Sequence, residues 1–190
     1  MRLPQLLLLA LGGALLAAEV RAGEDIETLA EVCRGCHGDE NSLPADPVYP
    51  IIAGQEFYYL YVQLKDFKKG LRENEMMQEV VADLDRATLK AIAQYWSEKP
   101  WPRTVFAVSE EEVRQAEQAI VSAECTACHL SAFEGNSRVP RLANQQPGYL
   151  EKTMLDLKYK RRRNSPNMMA LFKDFSEESI RALARYLAAL

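Results

Sequence analysis

Cys33-Arg34-Gly35-Cys36-His37 and Cys125-Thr126-Ala127-Cys128-His129 are two copies of one pattern, C-x-x-C-H, and together they hold every cysteine and every histidine in the chain. The pattern is the attachment signature of c-type haem. Two thiols separated by two residues on a helical turn can meet the two vinyl groups of a porphyrin. The adjacent imidazole then lies under the ring, where it can ligate iron. The exhaustive use of Cys and His in these motifs argues against chance.

Three rival readings of the cysteines fit the sequence less well. A zinc ribbon spaces its C-x-x-C pairs by ~15–20 residues, whereas 88 residues separate Cys36 from Cys125. A thioredoxin-like pair needs a preceding strand and a βαβ setting, and no strand pattern is visible. Two local disulfides would leave both histidines unexplained. Two covalently bound haem c groups are therefore expected, held by Cys33, Cys36, Cys125 and Cys128, with His37 and His129 as axial ligands.

The chain repeats around these motifs, and the repeat sets the fold. In each half a short amphipathic helix leads into C-x-x-C-H. A polar loop, a proline-containing strap, a longer helix, a Met-Met pair and a closing helix follow. The strap reads Pro50-Ile-Ile-Ala-Gly-Gln55 with Tyr59-Leu60 after it, then Pro140-Arg-Leu-Ala-Asn-Gln145 with Tyr149-Leu150. The offset is 90 residues here and 92 at the cysteines.

Ile26, Leu29, Ala30 and Cys33 fall at helical spacing, as do Val113, Ala116, Ala119 and Ile120. Ser109 with Glu112 predicts a capping box, Asp85 and Ser176 predict N-caps, and Gly70 should stop the helix that begins at Phe57. Lys99-Pro100-Trp101-Pro102-Arg103 reads as a stiff linker, because each proline disfavours helix at the residue before it. The expected fold class is all-α, built twice. The expected organisation is a signal peptide over 1–22, an N-terminal domain over 23–98, a linker over 99–108 and a C-terminal domain over 109–190.

With His and Cys used up, neither iron can be bis-histidine or thiolate-ligated. Tyr and Lys remain open for the sixth position, but each half offers a methionine pair on the loop before its closing helix: Met76-Met77 and Met168-Met169. Aligning the closing helices through Leu84 with Phe175 and Tyr95 with Tyr186 selects Met77 and Met168, each seven residues before its anchor. A thioether ligand favours Fe(II) and raises the potential. Filled axial positions suit an electron carrier, not an enzyme.

Cys33 to Gly38, Asn41-Ser42, Ala53-Gly54-Gln55, Gln63 to Phe67, Gly70 and Arg72, matched later by Cys125 to His129, Gly135-Asn136-Ser137, Leu142-Ala143, Gln145 and Asp156, resemble the cytochrome c4 family over essentially the whole mature chain. The resemblance implies two tandem cytochrome c domains related by a pseudo-twofold axis. It implies that the Pro50 and Pro140 carbonyls accept a hydrogen bond from the proximal imidazoles. It also implies electron transport in a periplasmic respiratory chain, with a terminal oxidase, a quinol–cytochrome c reductase or a dehydrogenase as redox partner. The chain departs from the family pattern at Leu130 and Asn144, where glycine is usual, and at Glu40.

Location and charge complete the sequence reading. Arg2, the apolar run Leu6–Ala18 and Val20-Arg21-Ala22 have the form of a cleaved secretory signal, which places the mature protein in the periplasm. The run is shorter than the ~20 residues of a membrane span, so any membrane association is expected to be peripheral and through partners. Residues 23–103 carry 9 basic and 15 acidic side chains, and residues 104–190 carry 12 and 11. The basic run Lys158 to Arg163 reads either as a solvated helix end or as a docking patch for an acidic partner. Nucleic acid is not an expected partner. The alternative function is an electron-accepting or catalytic haem subunit of a periplasmic dehydrogenase, for example in sulfur-compound oxidation, or of a peroxidase.

Overall fold

The structure, a computed structural model, describes residues 26–190; the signal segment expected over 1–22 lies outside the described residues. Helices α1 (Ile26–His37), α2 (Phe57–Lys68), α3 (Glu75–Val81) and α4 (Arg86–Ser97) form the first half. Helices α5 (Glu110–Ser122), α6 (Thr126–His129), α7 (Pro147–Lys158), α8 (Pro166–Phe172) and α9 (Glu177–Ala189) form the second. Among the described residues there is no strand, only an isolated bridge between Asn136 and Val139. The all-α expectation holds.

The local signals act as their chemistry dictates. Asp85 caps α4 through the Thr88 amide, Ser176 caps α9 through the Ser179 amide, and Ser109 with Glu112 closes a full capping box on α5. The two motif helices differ. Helix α1 runs unbroken through Cys33 to His37, whereas α5 stops at Ser122, Glu124 takes φ +50° and α6 resumes at Thr126.

Each half has its own core. Ala30, Leu60, Ile92, Ala93 and Trp96 pack α1, α2 and α4 together, with Phe67, Val81 and Leu89 under α3. Ala116, Leu150, Phe172, Ile180 and Leu183 do the same for α5, α7, α8 and α9. The tie between strap and closing helix is repeated: the Gly54 amide donates to the Trp96 carbonyl and the Asn144 amide to that of Leu187, both at 2.8 Å.

The departures from the family pattern have readable consequences. Leu130 takes φ +66° and ψ 171°, backbone that glycine adopts almost alone, at a cost of about 1–3 kcal/mol; the equivalent Gly38 also has a positive φ, +65°. Asn144 takes φ +59°, which asparagine tolerates, and its amide also fastens the linker. It accepts from the Thr104 amide and donates to the Thr104 and Ala188 carbonyls. Glu40 does not take a positive φ, so its loop has no need of glycine there. The segment between α4 and α5 has no regular structure but is docked, with the Trp101 indole donating to the Asn144 carbonyl and the Arg141 guanidinium lying 4.7 Å over the Trp101 ring.

The halves meet through contacts that exchange equivalent residues. The Gln145 side chain accepts from the Ile51 amide at 2.8 Å and donates to the Ile51 carbonyl at 2.9 Å. The Gln55 side chain makes the same pair with Arg141, at 2.8 and 3.0 Å. Both glutamines are buried, at 3% and 2% exposure for Gln55 and Gln145. At the edge of the interface the backbones close up further. A Cβ on Gly148 would lie 2.8 Å from the Pro47 carbonyl oxygen. Alanine there would favour helix α7 by up to ~1 kcal/mol, but the obstacle is backbone and cannot swing away. Gly148→Ala is therefore expected to destabilise the protein by about 1–3 kcal/mol, read as a lower Tm; an unchanged or higher Tm would show that the contact yields.

Candidate functional site

The two halves enclose one cavity of about 1200 Å³, larger than the ~300–1,000 Å³ usual for one small ligand. The structure brings both sets of residues picked out in the sequence to its wall: Cys33, Cys36, His37 and Met77 from the first half, Cys125, Cys128, His129 and Met168 from the second.

The methionines sit differently from expectation. Both pairs lie on short helices, α3 and α8, and not on loops. The Asn74 side chain caps α3 by accepting from the Met77 amide, and Pro166 occupies the first turn of α8, where its missing N–H costs nothing. Within the first pair, Met77 packs on the core cluster of Phe67, Val81 and Leu89, while Met76 lines the cavity but is 50% exposed. Within the second pair, Met168 lines the cavity, and Met169 packs on the core without reaching it.

Each imidazole is held by its strap. His37 Nδ1 donates to the Pro50 carbonyl at 2.9 Å and His129 Nδ1 to the Pro140 carbonyl at 3.1 Å. A carbonyl can only accept, so Nδ1 carries the proton and Nε2 keeps its lone pair. Burial, the larger influence, holds both imidazoles below the ordinary histidine pKa despite the proline carbonyls, and Arg72 adds to this at His37. Near neutral pH both rings are thus neutral bases with a free Nε2.

The four cysteines are unpaired with one another. Burial pushes the Cys33 and Cys125 thiols up, away from the thiolate form that a metal site or redox pair uses. Among the described residues no cluster of three or more His, Cys, Asp or Glu side chains is arranged as a metal site.

Polar groups on the cavity wall also fit the carboxylates of a haem. The buried Trp96 indole N–H has no acceptor within the protein. Arg72 and Arg162, at equivalent positions 90 residues apart, both line the cavity and have only neutral partners. Arg72 donates to Gln63 at 2.8 Å and to the Tyr149 hydroxyl at 3.1 Å. Arg162 donates to the same Gln63 oxygen at 3.0 Å and to the Tyr59 hydroxyl at 3.3 Å. Burial opposes ionisation of Tyr149, but the two guanidiniums outweigh it and draw that hydroxyl below its usual pKa, while burial pushes Tyr59 up. Half-buried cations with only neutral partners favour anionic company, which a carboxylate-bearing group between the halves would supply.

The basic run follows the end of α7, with Lys160, Arg161 and Arg163 exposed as a solvated helix end would be, and Arg162 departs from both sequence readings by turning inward. Lys158 donates to the carbonyls of Lys173 and Phe175, repeating what Lys68 does with Ala82 and Leu84. Arg161 pairs with Asp156, Arg162 turns inward, and Arg163 pairs with Glu73 of the first half. The constant offset of 90 residues could have flagged Arg162 as the counterpart of Arg72; Gln63 had no such signal, because position 153 is threonine.

Known proteins match this architecture. The chain is 31% identical over 173 residues to cytochrome c4 of Thiocapsa roseopersicina, covering 84% of this chain and 87% of that protein. The chain belongs to the cytochrome c4 family. It is likewise 31% identical over 171 residues to a thiosulfate dehydrogenase electron acceptor of Stutzerimonas stutzeri, covering 84% of this chain and 79% of that protein. The crystal structure of reduced cytochrome c4 from Pseudomonas stutzeri superposes with a TM-score of 0.75 at 28% identity, covering 87% of this chain and 98% of that one. No protein-family model matches the chain.

As a cytochrome c4 the protein carries two covalently bound haem c groups and transfers electrons. Two cytochrome c domains make up the fold. Arg162→Met in the haem-loaded protein removes a half-buried positive charge that favours the electron-rich state. The expected result is a fall in midpoint potential of about 59 mV, a tenfold change in a one-electron equilibrium, with Arg162→Lys falling less. A redox titration reads it, and unchanged potentials would remove Arg162 from the haem environment.

Proposed function

We propose that the protein is a periplasmic electron shuttle whose two haems are both low-spin and His/Met-ligated: His37 with Met77, and His129 with Met168. The observation that supports this best is the joint placement of two C-x-x-C-H motifs and two selected methionines on the wall of one cavity. Domains over 23–98 and 109–190, joined by 99–108, are part of the same reading.

Haem c, when bound, supplies reversible one-electron exchange at its iron. The chain's own residues set the conditions for it. Cys33 and Cys36, and Cys125 and Cys128, anchor each macrocycle by thioether bonds. The Nδ1–H donation to the proline carbonyl fixes each imidazole and makes Nε2 a better ligand. The methionine sulfurs, as soft donors, hold the potential high. Side chains such as Leu64, Ile92, Leu150 and Leu183 line the cavity and exclude water. His37 with Met77, and His129 with Met168, would hold the two irons, and the chemistry so supplied would be electron exchange.

Export rests on residues 1–22 alone. The physiological donor is best read from the relatives. Likeness to a thiosulfate dehydrogenase electron acceptor supports a periplasmic dehydrogenase as electron source, and a respiratory oxidase or reductase is the complementary partner. A second reading, a dedicated haem subunit of that dehydrogenase, differs by co-purifying with it at fixed stoichiometry.

Met77→Ala and Met168→Ala are each expected to remove about half of the near-red Fe(III)–S(Met) absorption, one haem of two, while Met76→Ala and Met169→Ala leave it intact. Retention of the full band in Met77→Ala or Met168→Ala would transfer the ligand role to its neighbour. Rapid peroxide turnover by the wild-type protein would overturn the carrier reading.

A further inference from the structure

We infer that Gln55 and Gln145 are crossed positioning residues: each fixes, from the opposite half, the peptide that orients an iron-binding imidazole. The inference rests on ligation by His37 and His129.

The Pro50 carbonyl, which accepts from His37, and the Ile51 amide, which donates to Gln145, belong to one peptide unit. That unit is planar and rigid, so holding its N–H sets the direction of its C=O. The Gln145 amide also grips the Ile51 carbonyl, and Ile51 is buried. The second half repeats this with Gln55 on the Arg141 amide and carbonyl, next to the Pro140 carbonyl that accepts from His129. A continuous hydrogen-bonded row therefore runs from each glutamine through the other half's strap to its imidazole. Bonds in such a row polarise one another. Tightening at the glutamine end strengthens the carbonyl as an acceptor, which makes the imidazole a more electron-rich ligand and stabilises oxidised iron. Each haem's potential is thus set partly by the domain to which it is not attached.

Gln145→Met and Gln55→Met, of similar length but without the amide, test this in the haem-loaded protein. Two readouts apply: the paramagnetically shifted imidazole Nδ1–H resonances of the oxidised protein, and the midpoint potential of each haem. Gln145→Met is expected to move the His37 resonance and raise the potential of the first-half haem. The size expected is about 3- to 10-fold in its reduction equilibrium, the worth of part or all of one hydrogen bond. His129 and its haem stay in place. Gln55→Met should do the reverse. Each variant moving the haem of its own half, or both variants moving both haems alike as simple undocking would, overturns the inference. Absence of any shifted ring N–H in the wild-type protein counts instead against histidine ligation. If a variant fails to load haem, hydrogen exchange of the wild-type protein decides. The Ile51 and Arg141 amides should be strongly protected, and exchange at the rate of open amides overturns the clasp.

Discussion

The haem cavity of this chain is lined by residues of both halves, which meet around it. Each brings its own cysteines, histidine and methionines to that cavity, and Arg72 and Arg162 bridge the halves beside it. A domain of roughly 80 residues has a small core of its own, and here much of the interior, a cavity of about 1200 Å³, belongs to the two haems. The protein's rigidity therefore depends on the fit between the halves as much as on the packing within them.

That fit is reciprocal. Gln55 reaches Arg141 while Gln145 reaches Ile51, and Arg72 reaches Tyr149 while Arg162 reaches Tyr59. Gln63 breaks the symmetry: one carbonyl oxygen accepts from Arg72, Arg162 and Asn164 together. The two haem environments are consequently unlike at their shared border, even though the motifs that hold the haems are copies. Charge adds to the difference, since the acidic excess lies in the first half.

The haem chemistry and the helices were legible in the sequence because both depend on short-range patterns. C-x-x-C-H, the Ser109–Glu112 capping box and the Asp85 cap each lie within a turn or two of chain. The repeat carried the rest of the fold, because the order of elements around one motif recurs around the other. What escaped was long-range. The glutamine contacts join residues 86 and 94 positions apart, and a buried glutamine has no mark in sequence to distinguish it from an exposed one. Arg162 looked like one more charge in a basic run until the fold turned it inward. The Met pairs were placed on loops because three to four turns of periodicity are needed to see a helix, and α3 and α8 have seven residues each.

The glutamine exchange also explains where the two copies have tolerated insertions and where they have not. The interface pairs Gln55 and Gln145, Tyr59 and Tyr149, and Arg72 and Arg162 all keep an offset of 90, whereas the cysteine motifs have slipped to 92. A contact made in exchange is coded in both copies, so one added residue in either strap would break the pairing it gives and the pairing it receives. Drift in length has collected outside that stretch: the cysteine motifs are offset by 92, and the closing helices, matched through Leu84 and Phe175, by 91.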